Sequence, residues 1–309
     1  MPEFKLTTPV AFIIFNRPDT TERVFAEIAK AKPPKLLVVG DGARINREGE
    51  ATKVAATRAI IDRVDWPCAV LTNFSEVNLG CKRRVSSGLD WVFEQVEEAI
   101  ILEDDCLPHP TFFRFCQELL EKYQDDQRVG MISGDNFQFD YRLNDDSYYF
   151  SKNSHIWGWA TWRDRWLNSY DVELRKWPLV RDSNLLQDML HERAMVGKWS
   201  NIFEDVYSEK IDTWDYQWVF ANLVQGRVNV MPNVNLISNI GFGRQDATHT
   251  LEHSDEADIP TCAMNFPLKH PVGVFACQIL DKRFYNRFQK MALSKIVKLK
   301  FRNFLNFNL

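Results

Sequence analysis

The chain has 309 residues, 45% of them hydrophobic, and a formal net charge of −4. That apolar content excludes a disordered protein and suits one large domain, or one domain plus an appendage; the charge excludes a global nucleic-acid-binding surface, so any basic partner surface is local. Six cysteines are scattered without a CxxC pair or zinc-finger spacing, a pattern of reduced, mostly buried thiols. The start, Met1-Pro2-Glu3-Phe4-Lys5, lacks the regions of a signal peptide, and no apolar run approaches the ~20 residues of a spanning helix. The starting expectation is a cytoplasmic enzyme.

Pro9 to Phe15 is an apolar run of strand length, stopped by Asn16-Arg17-Pro18. Asp19 followed by Glu22 resembles a capping box, and Val24, Phe25, Ile28 and Ala29 then recur at helical spacing. Leu36 to Val39 reads as a second strand. Gly40-Asp41-Gly42 ends it in a turn, which places Asp41 at the sheet edge of Asn16 and Arg17 if the strands are parallel; a plain turn residue is the other reading. A charged, Ala-rich stretch from Arg47 to Val64 predicts a second helix, and Cys68 to Thr72 a third strand, so the alternation of an α/β protein is established. Asn78-Leu79-Gly80 opens a loop carrying Lys82, Arg83 and Arg84 before a helix marked by Leu89, Val92, Phe93 and Val96. Three cations sit poorly against the positive end of a helix dipole unless an anion such as phosphate is near; a solvated helix start is the competing reading.

Ala99-Ile100-Ile101-Leu102-Glu103-Asp104-Asp105 organises the chain. Four apolar residues running into three carboxylates read as a buried parallel strand that delivers acids to an open crevice, where α/β proteins keep their chemistry. Neighbouring acids repel one another, and a hard cation such as Mn²⁺ or Mg²⁺, which would in turn recruit a diphosphate, relieves that repulsion. An acidic junction in water is the alternative. Pro108-His109-Pro110 turns into a helix with Phe112, Phe113, Phe115, Cys116, Leu119, Leu120 and Tyr123 inward. Strands follow at Val129 to Ile132 and Tyr148 to Phe150. The repeating pattern then gives way to a tryptophan-rich segment, His155 to Trp162, in which most rings are expected in the core and one or two on an acceptor cleft.

Asp212 is the expected N-cap of a helix with Val219, Phe220 and Leu223 along its apolar stripe. Asp215 follows three residues later, where an acid serves a helix terminus without any catalysis. Val228 to Pro232 reads as a short strand. Gly241-Phe242-Gly243, followed by Arg244, Thr248 and His249, has the composition of a lid with phosphate-binding side chains, or of an ordinary polar loop. After Asp281 there is no acid, and Lys and Arg alternate with apolar residues to Leu309. That basic amphipathic pattern suits an anionic membrane surface, a helix packed on the domain or, third, RNA.

Four stretches in this order resemble the GT-A glycosyltransferases, in particular the inverting N-acetylglucosaminyltransferase I group, over roughly Pro9 to Thr250. They are Asn16-Arg17; Glu103-Asp104-Asp105 followed by Pro110-Thr111-Phe112-Phe113; Trp214-Asp215; and Phe242-Gly243-Arg244 with Thr248-His249 shortly after. The resemblance implies a GT-A fold, a mixed and mainly parallel Rossmann-like sheet flanked by helices. A nucleotide-binding half would span about 1–135, an acceptor half about 136–281 and a basic helical tail 282–309. It implies a UDP-sugar donor, GlcNAc among the candidate sugars, a glycan or glycoconjugate acceptor, Mn²⁺ or Mg²⁺, and no nucleic acid. Asn16, Arg17, Asp41, Arg84, Glu103, Asp104, Arg244, Thr248 and His249 would hold the donor, Asp105 the metal, and Asp215 would be the base; Trp157, Trp159 and Trp214 fall on the acceptor side. Neither a lumenal membrane anchor nor a counterpart of the basic tail transfers from that group. A pyrophosphorylase and a non-catalytic sugar-binding protein on the same fold are the rival expectations.

Overall fold

A computed structural model describes residues 4–139, 141–190, 193–243 and 258–287. In chain order its elements are β1 (Val10–Ile14), α1 (Pro18–Ala31), β2 (Lys35–Gly40), α2 (Glu50–Ala59), β3 (Ala69–Phe74), α3 (Gly80–Gln95), β4 (Glu98–Glu103), β5 (Cys106–Pro108), α4 (Thr111–Tyr123), β6 (Val129–Ser133), β7 (Tyr148–Ser151) and β8 (Trp159–Trp162). There follow α5 (Arg163–Leu167), α6 (Trp177–Asp182), α7 (Leu185–Leu190), α8 (Arg193–Tyr207), α9 (Asp215–Val224), β9 (Val228–Pro232) and β10 (Ile237–Asn239), and residues 278–287 are helical.

The expected α/β class is the one observed. An eight-stranded sheet runs β3-β2-β1-β4-β8-β6-β9-β7. Strands β3, β2, β1 and β4 are mutually parallel, β8 and β7 run against their neighbours, and β6 and β9 are parallel to each other. Every residue of β1 is buried, as a central parallel strand covered on both faces requires. Alternation splits the strands between two cores. Phe12, Val38, Ile100 and Leu102 pack with α1 and α4, while Ala11, Ile13, Val39, Ala99 and Ile101 pack with α3, Trp166 and Trp218. Gly88 of α3 makes that second contact close, because a Cβ there would lie 2.3 Å from a Val39 methyl.

Several local expectations change. The helix expected from Arg47 to Val64 is α2 followed by a 3₁₀ turn, Ile60–Arg63. Helix α1 opens at Pro18 without a side-chain cap, so Asp19 and Glu22 form no capping box; Glu22 pairs with Arg63 at 2.5 Å instead. Asp212 does not cap α9, which begins three residues later. The tryptophan-rich segment contributes β8, antiparallel to β4, and a small second sheet pairs β10 with β5.

The boundary expected at 281/282 falls within the helix at 278–287, and the described part of that helix is docked. Leu280 is buried with Tyr149 and Met231. Asp281 is buried too, accepting from Ser151 Oγ at 2.5 Å, Lys152 N–H at 3.1 Å and Asn153 Nδ2 at 3.2 Å; burial pushes its carboxyl above the usual range against those bonds. The segment before it covers the edge of β7, with the Cys277 N–H donating to the Phe150 carbonyl at 2.7 Å. Residues 288–309 lie outside the described residues.

His155 is sealed between Phe137 and Phe284, with ring centroids 4.7 and 4.6 Å away. Neither ring nitrogen has a hydrogen-bond partner among the described residues, and burial, with a smaller push from Lys198, lowers its pKa to about 3. The unfolded chain takes a proton near 6.5 that the folded protein refuses, so this residue contributes stability above that pH and loses it on acidification toward 3. Wild type therefore loses about 1.4 kcal/mol per pH unit over that window relative to His155→Phe. Urea midpoints of the two proteins at pH 7 and pH 5 measure the difference; parallel pH dependence would show that the ring is not sealed.

Candidate active site

Parallel pairing puts the carboxyl ends of β1, β2 and β4 on one edge. Ile13 is level with Glu103 and Ile14 with Gly40, so Phe15 to Arg17, Asp41 and the acid triplet emerge side by side. The small second sheet adds a fourth segment there: the Ile240 N–H donates to the Asp105 carbonyl at 2.8 Å, and Gly241 packs against the Asp105 carboxylate. A Cβ on Gly241 would lie 2.2 Å from Asp105 Oδ2, so the close approach requires glycine.

Arg17 is the cation on the triplet. Its Nη1 lies 2.8 Å from Asp105 Oδ2 and 3.5 Å from Asp104 Oδ1, with Asp104 Oδ2 also accepting the Phe15 N–H at 3.1 Å. Glu103 is driven well above the usual carboxyl range, first by burial and then by Asp105, Asp104 and Asp215, with Arg17 opposing. A cavity of about 300 Å³ opens beside them, lined by Arg17, Asp41, Arg84, Glu103 and Asp104 among the expected donor residues.

Asp41 is more than a turn. Its carboxylate accepts from the N–H groups of Gly42, Leu79 and Gly80 and from Asn78 Nδ2, at 2.9 to 3.2 Å, fastening β2 to the start of α3; burial nevertheless raises its pKa. Of the three cations at that helix start only Arg84 lines the cavity, held by Asn73 through its carbonyl and, at 2.8 Å, its Oδ1. Lys82 pairs with Glu173 at 2.9 Å, and Arg83 is exposed. Asp212 accepts the Lys82 N–H at 3.2 Å, so it serves the first turn of α3 and ties the approach to α9 onto the cavity wall.

Asp215 stands half-buried at the first position of α9, where the helix dipole favours an anion, and Thr213 Oγ1 donates to it. It does not line the cavity, but its charge acts on Glu103 of the triplet. The Cys81 thiol on the cavity wall is pushed up by burial and by the charges of Glu103, Asp215, Asp212 and Asp41.

Three expected residues stand elsewhere. Asn16 does not line the cavity; its Nδ2 donates to Glu50 Oε1 at 2.9 Å. Trp159 and Trp214 are fully or almost fully buried and stack on each other at 5.7 Å within the second core, so neither ring has a face for an acceptor. Trp157 keeps a ring face, half-buried against Phe242 at 5.4 Å, with its backbone N–H donating to Asp135 Oδ2 at 3.0 Å. Arg244, Thr248 and His249 lie outside the described residues. Arg44 was missed: it lines the cavity, held over the Phe15 ring at 5.6 Å by Glu50 at 2.5 Å. Its sequence signal was only its place just after Asp41.

No family model matches the chain, nor does any curated protein. Among solved structures it is similar to residues 1–349 of S. aureus TarS, with 9% identity over 51% of this chain and 48% of that one and a TM-score of 0.35. It is also similar to mouse xyloside xylosyltransferase 1 in its apo form (11% identity, 70% and 81% covered, TM-score 0.33). A third likeness is to a UDP-glucose pyrophosphorylase complexed with UDP-glucose (11%, 48% and 64%, TM-score 0.27). The chain thus spans about half of the TarS fragment, and overlaps this partial decide nothing about activity.

Among the described residues no three His, Cys, Asp or Glu side chains are grouped to hold a metal by themselves. Asp105 fits a different kind of site. One of its oxygens takes Arg17 and the other only a long contact from Cys106 Sγ at 3.5 Å, which leaves acceptor capacity for an ion shared with a ligand's phosphates. Removing Arg17 strands the clustered acids. Arg17→Ala is expected to cost about 3–5 kcal/mol at pH 7; equal urea midpoints for variant and wild type at pH 7 would deny the pair that role.

Proposed function

We propose that the protein is a GT-A-type, metal-dependent inverting glycosyltransferase that moves a sugar from a UDP-sugar, GlcNAc among the candidates, to a hydroxyl of a glycan or glycoconjugate. The observation that carries this reading is the meeting, at one sheet edge, of a nucleoside-sized cavity, three clustered carboxylates and a separate carboxylate, Asp215, near enough for its charge to act on Glu103. Binding alone requires no such second acid.

In this reading the nucleoside occupies the cavity between Phe15, Asp41 and Arg84, with Arg44 closing over the Phe15 side. Glu103 and Asp104 face the ribose and the donor sugar. Mn²⁺ or Mg²⁺, held by Asp105 and the diphosphate, would supply Lewis-acid stabilisation of the departing nucleotide. Arg17, already on Asp105, positions that carboxylate and adds positive charge beside the leaving group. Asp215 takes the proton from the acceptor hydroxyl, with Thr213 Oγ1 orienting it. Trp157 offers its ring to the acceptor sugar. Arg244, Thr248 and His249 are proposed to meet the diphosphate from the glycine-flanked loop, and the basic stretch 282–309 to meet an anionic membrane surface on the cytoplasmic side.

Asp215→Asn tests the base. It is expected to bind UDP as wild type does while transfer to an acceptor falls about 10²- to 10⁴-fold. Equal loss of UDP affinity would place Asp215 in donor binding, and release of UTP with sugar phosphate in place of UDP would turn the assignment to a pyrophosphorylase.

A further inference from the structure

Of the exposed large apolar side chains, three fall within eight residues of one another near the end of the described chain. Val272, Phe275 and Ile279 are 98%, 62% and 58% exposed. They share one short stretch that runs along β7 into the helix at 278–287, and an apolar group of that kind marks a contact surface. The stretch is anchored from below by the Cys277 bond to Phe150, by buried Leu280 and by the bonds to Asp281. The exposed side chains therefore project from a fixed platform.

Charge selects what covers them. From Lys269 to Leu309 the sequence holds nine Lys and Arg against one acid, Asp281. That acid is turned inward onto Ser151, Lys152 and Asn153, so the stretch presents no carboxylate outward. Lys269, Lys282 and Arg283 are exposed on the same stretch, Arg283 lying over the Tyr141 ring at 4.3 Å. Acids of packed neighbours, Asp146 ahead of β7 and Glu118 beside His270, lie at the Lys269–His270 end.

We propose that this face docks on an anionic bilayer, with Val272, Phe275 and Ile279 entering the interface and Lys269, Lys282 and Arg283 meeting the headgroups. The contact extends the membrane surface proposed for 282–309 back to Lys269 and adds its apolar part, and it does not rest on the transferase reading. It bears on it, however. On its inward side the same helix packs Phe284 on Phe137, which meets Trp157, which meets Phe242 beside Gly241. One run of aromatic contacts thus joins the docking face to the proposed acceptor side.

Sedimentation of the full chain with phosphatidylcholine vesicles, with and without phosphatidylglycerol, tests the proposal. Wild type is expected to bind only the anionic vesicles, less so as salt screens the cations. Phe275→Asp is expected to weaken binding about tenfold while keeping the wild-type urea midpoint, and the emission of Phe275→Trp to shift blue on those vesicles. Absence of binding to anionic vesicles would overturn the proposal. So would binding that Phe275→Asp leaves unchanged with no shift in Phe275→Trp, which would move the contact to the tail, or a wild-type dimer that Phe275→Asp dissociates, which would make a second copy the occupant.

Discussion

Like charge held close together is the constraint on which the rest of this molecule depends. From Ala99 to Leu102 strand β4 is apolar and buried, and Glu103 and the next two residues are acids, so the fold must hold three carboxylates where the sheet ends. Arg17 from the end of β1 is their cation among the described residues, and the β1–β4 register brings it there. The same edge fixes Asp41, whose carboxylate holds the start of α3, and Asp212, which accepts the Lys82 N–H of that helix. The cavity wall is thus assembled from helix starts and strand ends tied together by hydrogen bonds, with Arg84 Nε buried without a partner among the described residues and Glu103 pushed toward the protonated form.

Much of this was legible from local pattern. Apolar runs gave β1, β2 and β4 because central parallel strands have no polar face to confuse the reading, and the acids at the end of β4 marked the sheet edge before any neighbour was known. Asp41 could be placed beside Asn16 and Arg17 on the assumption of parallel pairing, which the register supports. What local pattern does not reveal is whatever depends on distant partners. Asp212 looks like an N-cap for the helix that follows it, yet the helix it serves lies far earlier in the chain. Asn16 sits in the right turn and points at Glu50. Trp159 and Trp214 share a composition with sugar-binding aromatics, but stacking on each other in the core is a tertiary fact that neither residue's neighbours encode. Nor did β5 and β10 announce themselves, being three residues each and meaningful only as a pair.

The C-terminal region carries one helix with two unlike sides. Its inward side is committed, with Leu280, Phe284 and the buried Asp281 carboxylate joining it to β7, β9 and the aromatic group around His155. Its outward side is basic and begins beside exposed apolar residues. A packed helix and a membrane-facing one, which compete as readings of the sequence, are compatible on opposite sides of the same element.

Calorimetric titration of UDP into the protein with Mn²⁺, repeated with chelator and with Asp105→Asn, tests the central claim most directly. A nucleotide-sugar site of the kind proposed predicts binding with Mn²⁺ that chelator and the substitution both abolish or weaken severely. UDP binding equal under all three conditions would contradict the metal role of Asp105, and no UDP binding in any of them would contradict the donor site itself.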